Sequence, residues 1–220
     1  MDHIPDCSSD SLWRIGTSPG KGRGVFAAKD IPKGALVMEE MPLLTISRPA
    51  GHCVTPAEVD RAFSNLTSQQ QSLFLSLSDA GIRAENRTNK VYRIFQTNAL
   101  TDDPDTHSYI CTKASLINHS CIPNATWHFS STSGKCVISA LASMKEGEEL
   151  TLNYAGDIYW MKSKQRKACL RYSWGFECDC KACQSDTAFG VASDYRRALL
   201  CGIRCIMAKR GSMIEQRDLK

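Results

Sequence analysis

The sequence predicts an α+β fold in which short strands are interrupted by a block of helix. Three observations predict it. Strand-like runs separated by glycine and proline turns occupy the first 46 residues, helical spacing takes over between about 48 and 108, and strands return from 109 to 154. Basic and apolar helices then flank a tight group of cysteines near the C-terminal end.

The elements follow in order. Trp13-Arg14-Ile15 and Val25-Phe26-Ala27-Ala28 read as strands around Gly20-Lys21-Gly22-Arg23-Gly24. Asp30-Ile31-Pro32-Lys33-Gly34 is a turn, and Ala35–Met38 and Leu43–Ile46 are further strands on either side of Pro42. Thr55-Pro56-Ala57-Glu58 is a capping box with proline at the first helical position, followed by Val59, Phe63 and Leu66 at helical spacing. A second helix starts near Ser68, carries Leu73, Phe74 and Leu77, and is expected to stop at Gly81. A third spans Lys90 to Gln96. Strands are predicted at Ala125–Phe129, Cys136–Ala140 and Glu149–Tyr154, with Ser133-Gly134 as the hairpin between the first two. Residues 158–171 read as a basic helix. Ser193–Lys209 reads as a last helix whose stripe of Tyr195, Leu199, Gly202, Ile203, Ile206 and Met207 is expected to pack on something.

Composition narrows the class. Apolar content of 42% and charge of 23% in 220 residues suit a globular chain with a sizeable core. No stretch approaches ~20 uncharged apolar residues, so no membrane span is expected. The first ten residues lack the basic and apolar regions of a secretory signal, which points to the nucleus or cytoplasm. Residues 160–220 carry 13 Lys/Arg against 6 Asp/Glu, but with no basic run interleaved with aromatics. The excess reads as a solvated helix face, with nucleic acid at most a secondary ligand and no membrane partner.

Eleven cysteines without a signal peptide read as metal ligands where clustered and, for most of the seven scattered ones, as buried thiols. Cys178, Cys180 and Cys183 fall within six residues, and a structural zinc site wants four ligands. Cys121, inside the polar run Asn118-His119-Ser120-Cys121-Ile122-Pro123-Asn124, is the fourth candidate. One structural Zn²⁺ would then join the chain's middle to its end.

The order of these motifs is specific. A glycine-rich loop, a helical insert, Asn118–Asn124, then Gly147-Glu148-Glu149-Leu150-Thr151 closing on Tyr154, then Cys178-Asp179-Cys180-Lys181-Ala182-Cys183, resembles the SET-domain protein lysine methyltransferases over residues 12–183. The closing pattern from Arg166 through Leu170 to Trp174-Gly175-Phe176-Glu177-Cys178 is similar to the SMYD-type branch and its fungal relatives. That branch's zinc-binding MYND module and long C-terminal helical region have no counterpart here, so the chain reads as a compact relative or a truncated one.

The resemblance implies a SET-domain fold, small curved sheets with knot-like threading. It implies a domain plan of an N-terminal tail (1–11), a SET domain (12–155) with its helical insert at about 48–108, a helix and post-SET zinc element (156–184) and a helical tail (185–220). It also implies S-adenosylmethionine as cofactor and a protein lysine, on a histone tail or another protein, as substrate, with the chain acting as a monomer. In that pattern Lys21, Gly22 and Arg23 line the cofactor's amino-acid end, Asn98 contacts it from the insert, Asn118 and His119 hold the adenosine side and Phe176 flanks the adenine. Tyr154 is the tyrosine at the transfer point. Trp174 stands where the branch often has a second channel tyrosine, which leaves the degree of methylation open.

The chemistry suits these residue types. A lysine with pKa near 10.4 needs about 4 kcal/mol to lose its proton near neutral pH. A narrow aromatic channel disfavours the ammonium, and a tyrosine hydroxyl can align the amine for in-line attack. Two rival readings stay open: a SET-like module that binds S-adenosylmethionine or a lysine-bearing tail without turnover, and a zinc-stabilised nucleic-acid binder.

Overall fold

The computed structural model describes residues 11–80, 89–102 and 106–215, which fall into two compact units, 1–154 and 155–220. In the first unit, β1 (Trp13–Ser18) and β2 (Gly22–Ala27) form an antiparallel hairpin, with Gly20 and Gly22 supplying the positive φ of the turn. β3 (Leu36–Glu40) is followed by β4 (Leu44–Ser47). Helix α1 (Pro56–Ser64) begins at the capping box, with Thr55 Oγ1 accepting from Glu58 N and Glu58 returning a carboxylate to Thr55 N. Helix α2 (Ser68–Leu75) has the same device at Thr67 and Gln70, and α3 (Lys90–Asn98) is capped by Asn89. Val59, Phe74, Ile94 and Phe95 from these helices pack with Leu44, Ile46 and Ile110 into one core.

The expected stop of α2 at Gly81 lies outside the described residues, and the helix ends earlier, at Leu75. Ser76 closes it, its amide bonding back to Ser72 O and its hydroxyl to Leu73 O. The insert is also not wholly helical. β5 (Leu100–Thr101) and β6 (His107–Ile110) pair antiparallel, and β4 completes a sheet of order β4-β6-β5. Asp102 organises that turn by accepting from the amides of Thr106 and His107.

β7 (Asn118–His119), β8 (Ala125–Ser130), β9 (Lys135–Ala140) and β10 (Thr151–Leu152) complete the unit. The β8–β9 hairpin turns at Gly134, and β3 adds on the other side of β9. The run Glu149–Tyr154 is not one strand, because it changes partners midway. Glu149 bridges Phe26, Thr151 and Leu152 run parallel to β7, and the Tyr154 amide turns to a side chain instead. Val25, Ile31, Ile117, Ile138, Met144 and Leu150 lie in a second core beneath these pieces.

In the second unit, a 3-10 turn at Gly156–Trp160 leads to α4 (Ser163–Trp174), which Gly175 ends in the left-handed conformation. A 3-10 turn at Lys181–Cys183 precedes α5 (Ala188–Glu215), which starts five residues before the expected Ser193. Contrary to the sequence expectation, the α5 stripe is exposed: Tyr195, Leu199, Ile203, Ile206 and Met207 all face solvent. The face turned inward is polar. Ser193 and Arg197 are buried, Arg197 donates to Tyr159 O and stacks over the Tyr159 ring, and Asp194 accepts from the Ser163 amide at the start of α4. Directional hydrogen bonds, rather than apolar area, therefore choose which side of this helix packs. Among the described residues no helix is long and apolar enough to cross a membrane.

Candidate active site and cysteine cluster

The short parallel pair β7–β10 sets the centre of the site. It places Asn118 beside Thr151 and His119 beside Leu152. Asn118 Nδ2 donates to Arg23 O at 3.0 Å and to Glu149 Oε1 at 2.7 Å, so one carboxamide ties β2 to the segment entering β10. At the motif's other end Asn124 Nδ2 donates to Glu149 O at 2.9 Å, while its Oδ1 accepts from Thr151 N at 2.8 Å. The two asparagines thus clamp the same short segment from both sides.

That clamp needs Gly24. A Cβ there would lie 2.6 Å from Glu149 Oε1 and 3.1 Å from Asn118 Nδ2. Glu149, Asn124 and Gly24 do not stand out in the sequence as site residues. The alternation of glycines and the second asparagine of the motif are the signals that could have found them.

Tyr154 follows β10. Its hydroxyl donates to Ile117 O at 2.8 Å, its amide donates to His119 Nδ1 at 3.1 Å, and its ring meets the His119 ring edge-on at a centroid distance of 5.2 Å. Burial, and then the Glu149 carboxylate, push its pKa well above the usual tyrosine value. The hydroxyl is a neutral donor at working pH and not a base. His119 is itself buried, and its Nε2 lies 3.3 Å from Cys121 Sγ.

The other predicted residues sit as follows. Lys21, Gly22 and Arg23 are exposed at the β1–β2 turn, and the Arg23 guanidinium reaches Ser76 O at 2.7 Å. Asn98 is buried at the end of α3, donating to Ser78 O and Ile94 O at 2.7 Å each. Its side-chain amide therefore holds α3 against the loop after α2. Trp174 and Phe176, both half-buried, belong to the second unit. The structure brings Asn118 to Arg23 and joins His119, Cys121 and Tyr154 in one chain of contacts, while the Asn98 side chain bonds within the insert and its carbonyl accepts from Ser115.

Cys121, Cys178, Cys180 and Cys183 form a group that could hold zinc. Their sulfurs lie within 4.8 Å of one another, and all but Cys180 are buried. Four thiolates at about 2.3 Å from one Zn²⁺ would stand roughly 3.8 Å apart, so the donor set fits a closed structural site. Within the second unit Arg166 supports that group. Fully buried, it donates to Ala182 O at 2.6 Å, to Met161 O at 2.6 Å and to Cys183 Sγ at 3.4 Å, and pairs with Asp194 at 3.2 Å.

The strand pair, the asparagine–histidine motif and Tyr154 all fall within a match to the SET domain. The family model for that domain matches residues 22–155, and the chain belongs to the SET-domain family. It is 27% identical over 199 residues to the histone-lysine N-methyltransferase set5 of Schizosaccharomyces pombe, an alignment covering 90% of this chain and 59% of that protein. It is 28% identical over 195 residues to the putative SET domain-containing protein L678 of Acanthamoeba polyphaga mimivirus, covering 74% of each. A segment of 71 residues, 32% of this chain and 16% of the other, is 39% identical to the mouse histone-lysine N-methyltransferase SMYD3. The chain therefore spans little more than half the length of the fission-yeast relative.

Proposed function

We propose that this chain is an S-adenosylmethionine-dependent protein-lysine N-methyltransferase with one structural zinc, acting on a histone or another protein of the nucleus or cytoplasm. The observation that carries the proposal is the extent of the SET-domain match, which takes in both the Asn118–Asn124 motif and Tyr154. The names of the relatives support the same activity.

When bound, S-adenosylmethionine supplies a methyl group activated on a sulfonium. Lys21 and Arg23, exposed and cationic beside the open backbone of Gly22, suit the cofactor's carboxylate. Asn118 and Asn98 spend their side-chain N–H groups within the protein, so each would meet the cofactor through its Oδ1. His119 adds the strand backbone beside the adenosine, and Phe176 the aromatic face for the adenine. Tyr154, held by Ile117 O, orients the lysine amine or the methyl group, and Trp174 narrows the channel through which the lysine enters. The ring walls desolvate the ammonium and favour the neutral amine. The four cysteines serve structure, with no open coordination position for chemistry.

The test is a radiolabelled-methyl assay of the purified chain against histones and cell extract, with metal analysis of the same sample. Labelling that requires the native chain, together with about one zinc per chain, is the expected result. Cofactor binding without transfer to any protein would favour a module that holds S-adenosylmethionine without turnover. Fewer than about half an equivalent of zinc in active protein would remove the metal from the proposal.

A further inference from the structure

The contacts of His119 join two parts of the site that the functional reading treats separately. A backbone amide can only donate, so the bond from Tyr154 N at 3.1 Å requires a lone pair on Nδ1. The neutral ring then carries its proton on Nε2. That atom faces Cys121 Sγ at 3.3 Å, so the contact is an N–H donated to sulfur. The ring is 4% exposed and packs edge-on against Tyr154, which limits its freedom to choose another orientation.

A metal on Cys121 would make that sulfur a thiolate, a far better acceptor than a thiol. It would fix the tautomer, and with it the acceptor that receives the Tyr154 amide. Without metal, a thiol accepts weakly and the ring is less firmly held. We propose that His119 is a positioning residue that couples metal on Cys121 to the placement of Tyr154. The inference rests on the reading of Tyr154 as the transfer-point tyrosine and on the zinc assigned above. It adds a role for His119 beyond any contact with the cofactor.

The experiment compares zinc-loaded protein with protein stripped by a chelator, following amide hydrogen exchange at Tyr154 and the ¹⁵N shifts of the His119 ring. In loaded protein the ring nitrogens should report a proton on Nε2 and none on Nδ1. Stripping should speed exchange at Tyr154 by about tenfold or more while amides of the β8–β9 hairpin keep their protection. Two variants separate the arms. His119→Asn can offer an oxygen near the Nδ1 position but loses the donor to Cys121, and zinc release should quicken about tenfold. His119→Gln can offer a donor toward Cys121 but loses the Nδ1 acceptor, so Tyr154 should exchange fast with or without zinc.

A proton on Nδ1 in the loaded protein overturns the proposal. So do equal Tyr154 exchange in His119→Gln and parent, or a chain that holds no zinc. If stripping unfolds the chain, the hairpin amides report it, and the loaded-state tautomer and the variant pair then decide between coupling and its absence. Methyl transfer measured in parallel keeps the two readings apart. Coupling without any dependence of transfer on the Tyr154 hydroxyl removes the catalytic role and leaves the link. Transfer that needs the hydroxyl, with no coupling, does the reverse.

Discussion

Tyr154→Phe removes one hydroxyl and keeps the ring, and the structure gives that hydroxyl two separable effects. Its bond to Ile117 O is 2.8 Å long, and Ile117 is buried, so the variant leaves a carbonyl short of a partner. The cost is about 1 kcal/mol, the scale of one net hydrogen bond, which lowers Tm by about 2–4 °C in a chain of this size. With stability of even ~5 kcal/mol, such a loss leaves nearly all the protein folded. Unfolding therefore cannot account for a large fall in rate. If the hydroxyl aligns the reacting groups, methyl transfer should drop on the order of 10²-fold, the effect of removing one preorganised polar group at a transition state. Cofactor affinity, measured by calorimetry, should stay within a few-fold, because the cofactor contacts are assigned elsewhere. The assay is single-turnover transfer of a labelled methyl group, with thermal unfolding of the same preparation. Transfer within about threefold of the parent, alongside the expected drop in Tm, would refute the placement of Tyr154 at the transfer point.

Gly24→Ala should destabilise the first unit by about 1–3 kcal/mol in urea unfolding, since the added methyl meets Glu149 and Asn118, and should weaken cofactor binding along with it. Arg166→Met should cost about 3 kcal/mol, measured by urea unfolding of the zinc-loaded chain, because it orphans the Met161 and Ala182 carbonyls and takes the cation from the Asp194 carboxylate, which keeps its bonds from Ser163. Alkaline titration followed by tyrosinate absorbance should find two late tyrosines, Tyr154 and Tyr109. Burial, aided by Asp102 and Cys136, pushes Tyr109 up to about 12. Both are raised above the unfolded value near 10, so their contribution to stability is complete below pH 10 and is lost as pH climbs through the folded values. The pH profile of transfer between 7 and 9 should keep its shape in Tyr154→Phe, because the tyrosine does not titrate there.

Local signals were legible in the sequence where a single segment determines them. The capping box at Thr55, the glycine turn before Arg23 and the Ser133-Gly134 hairpin each depend on neighbours a few residues away. The cysteine group was also legible, because three ligands share one hexapeptide and the fourth sits in a distinctive motif. The two-residue strands β5, β7 and β10 were not, since two residues carry no period. The break within Glu149–Tyr154 could not be read either, because its partners are Phe26, β7 and the His119 ring. The apolar stripe of α5 misled for a related reason. Periodicity identifies an apolar face, but the polar anchors Ser193, Asp194 and Arg197 determine which face packs.

The bridges from Phe26 to Glu149 and from Ile31 to Met144, with the hydrogen bonds between Leu150 N and Val25 O and between Ala27 N and Glu148 O, set an order of events during synthesis. Lys145 and Asp30, which meet at one end of this seam, are separated by 115 residues. At ~5–20 residues per second a ribosome needs on the order of ten seconds to supply the second half. The β1–β2 hairpin and the three capped helices can form meanwhile from local contacts. The outer edge of β2 has no partner until the far segment emerges, and an unpaired strand edge invites other chains. For this protein the hazardous interval of biosynthesis thus falls between the making of Val25 and the arrival of Leu150.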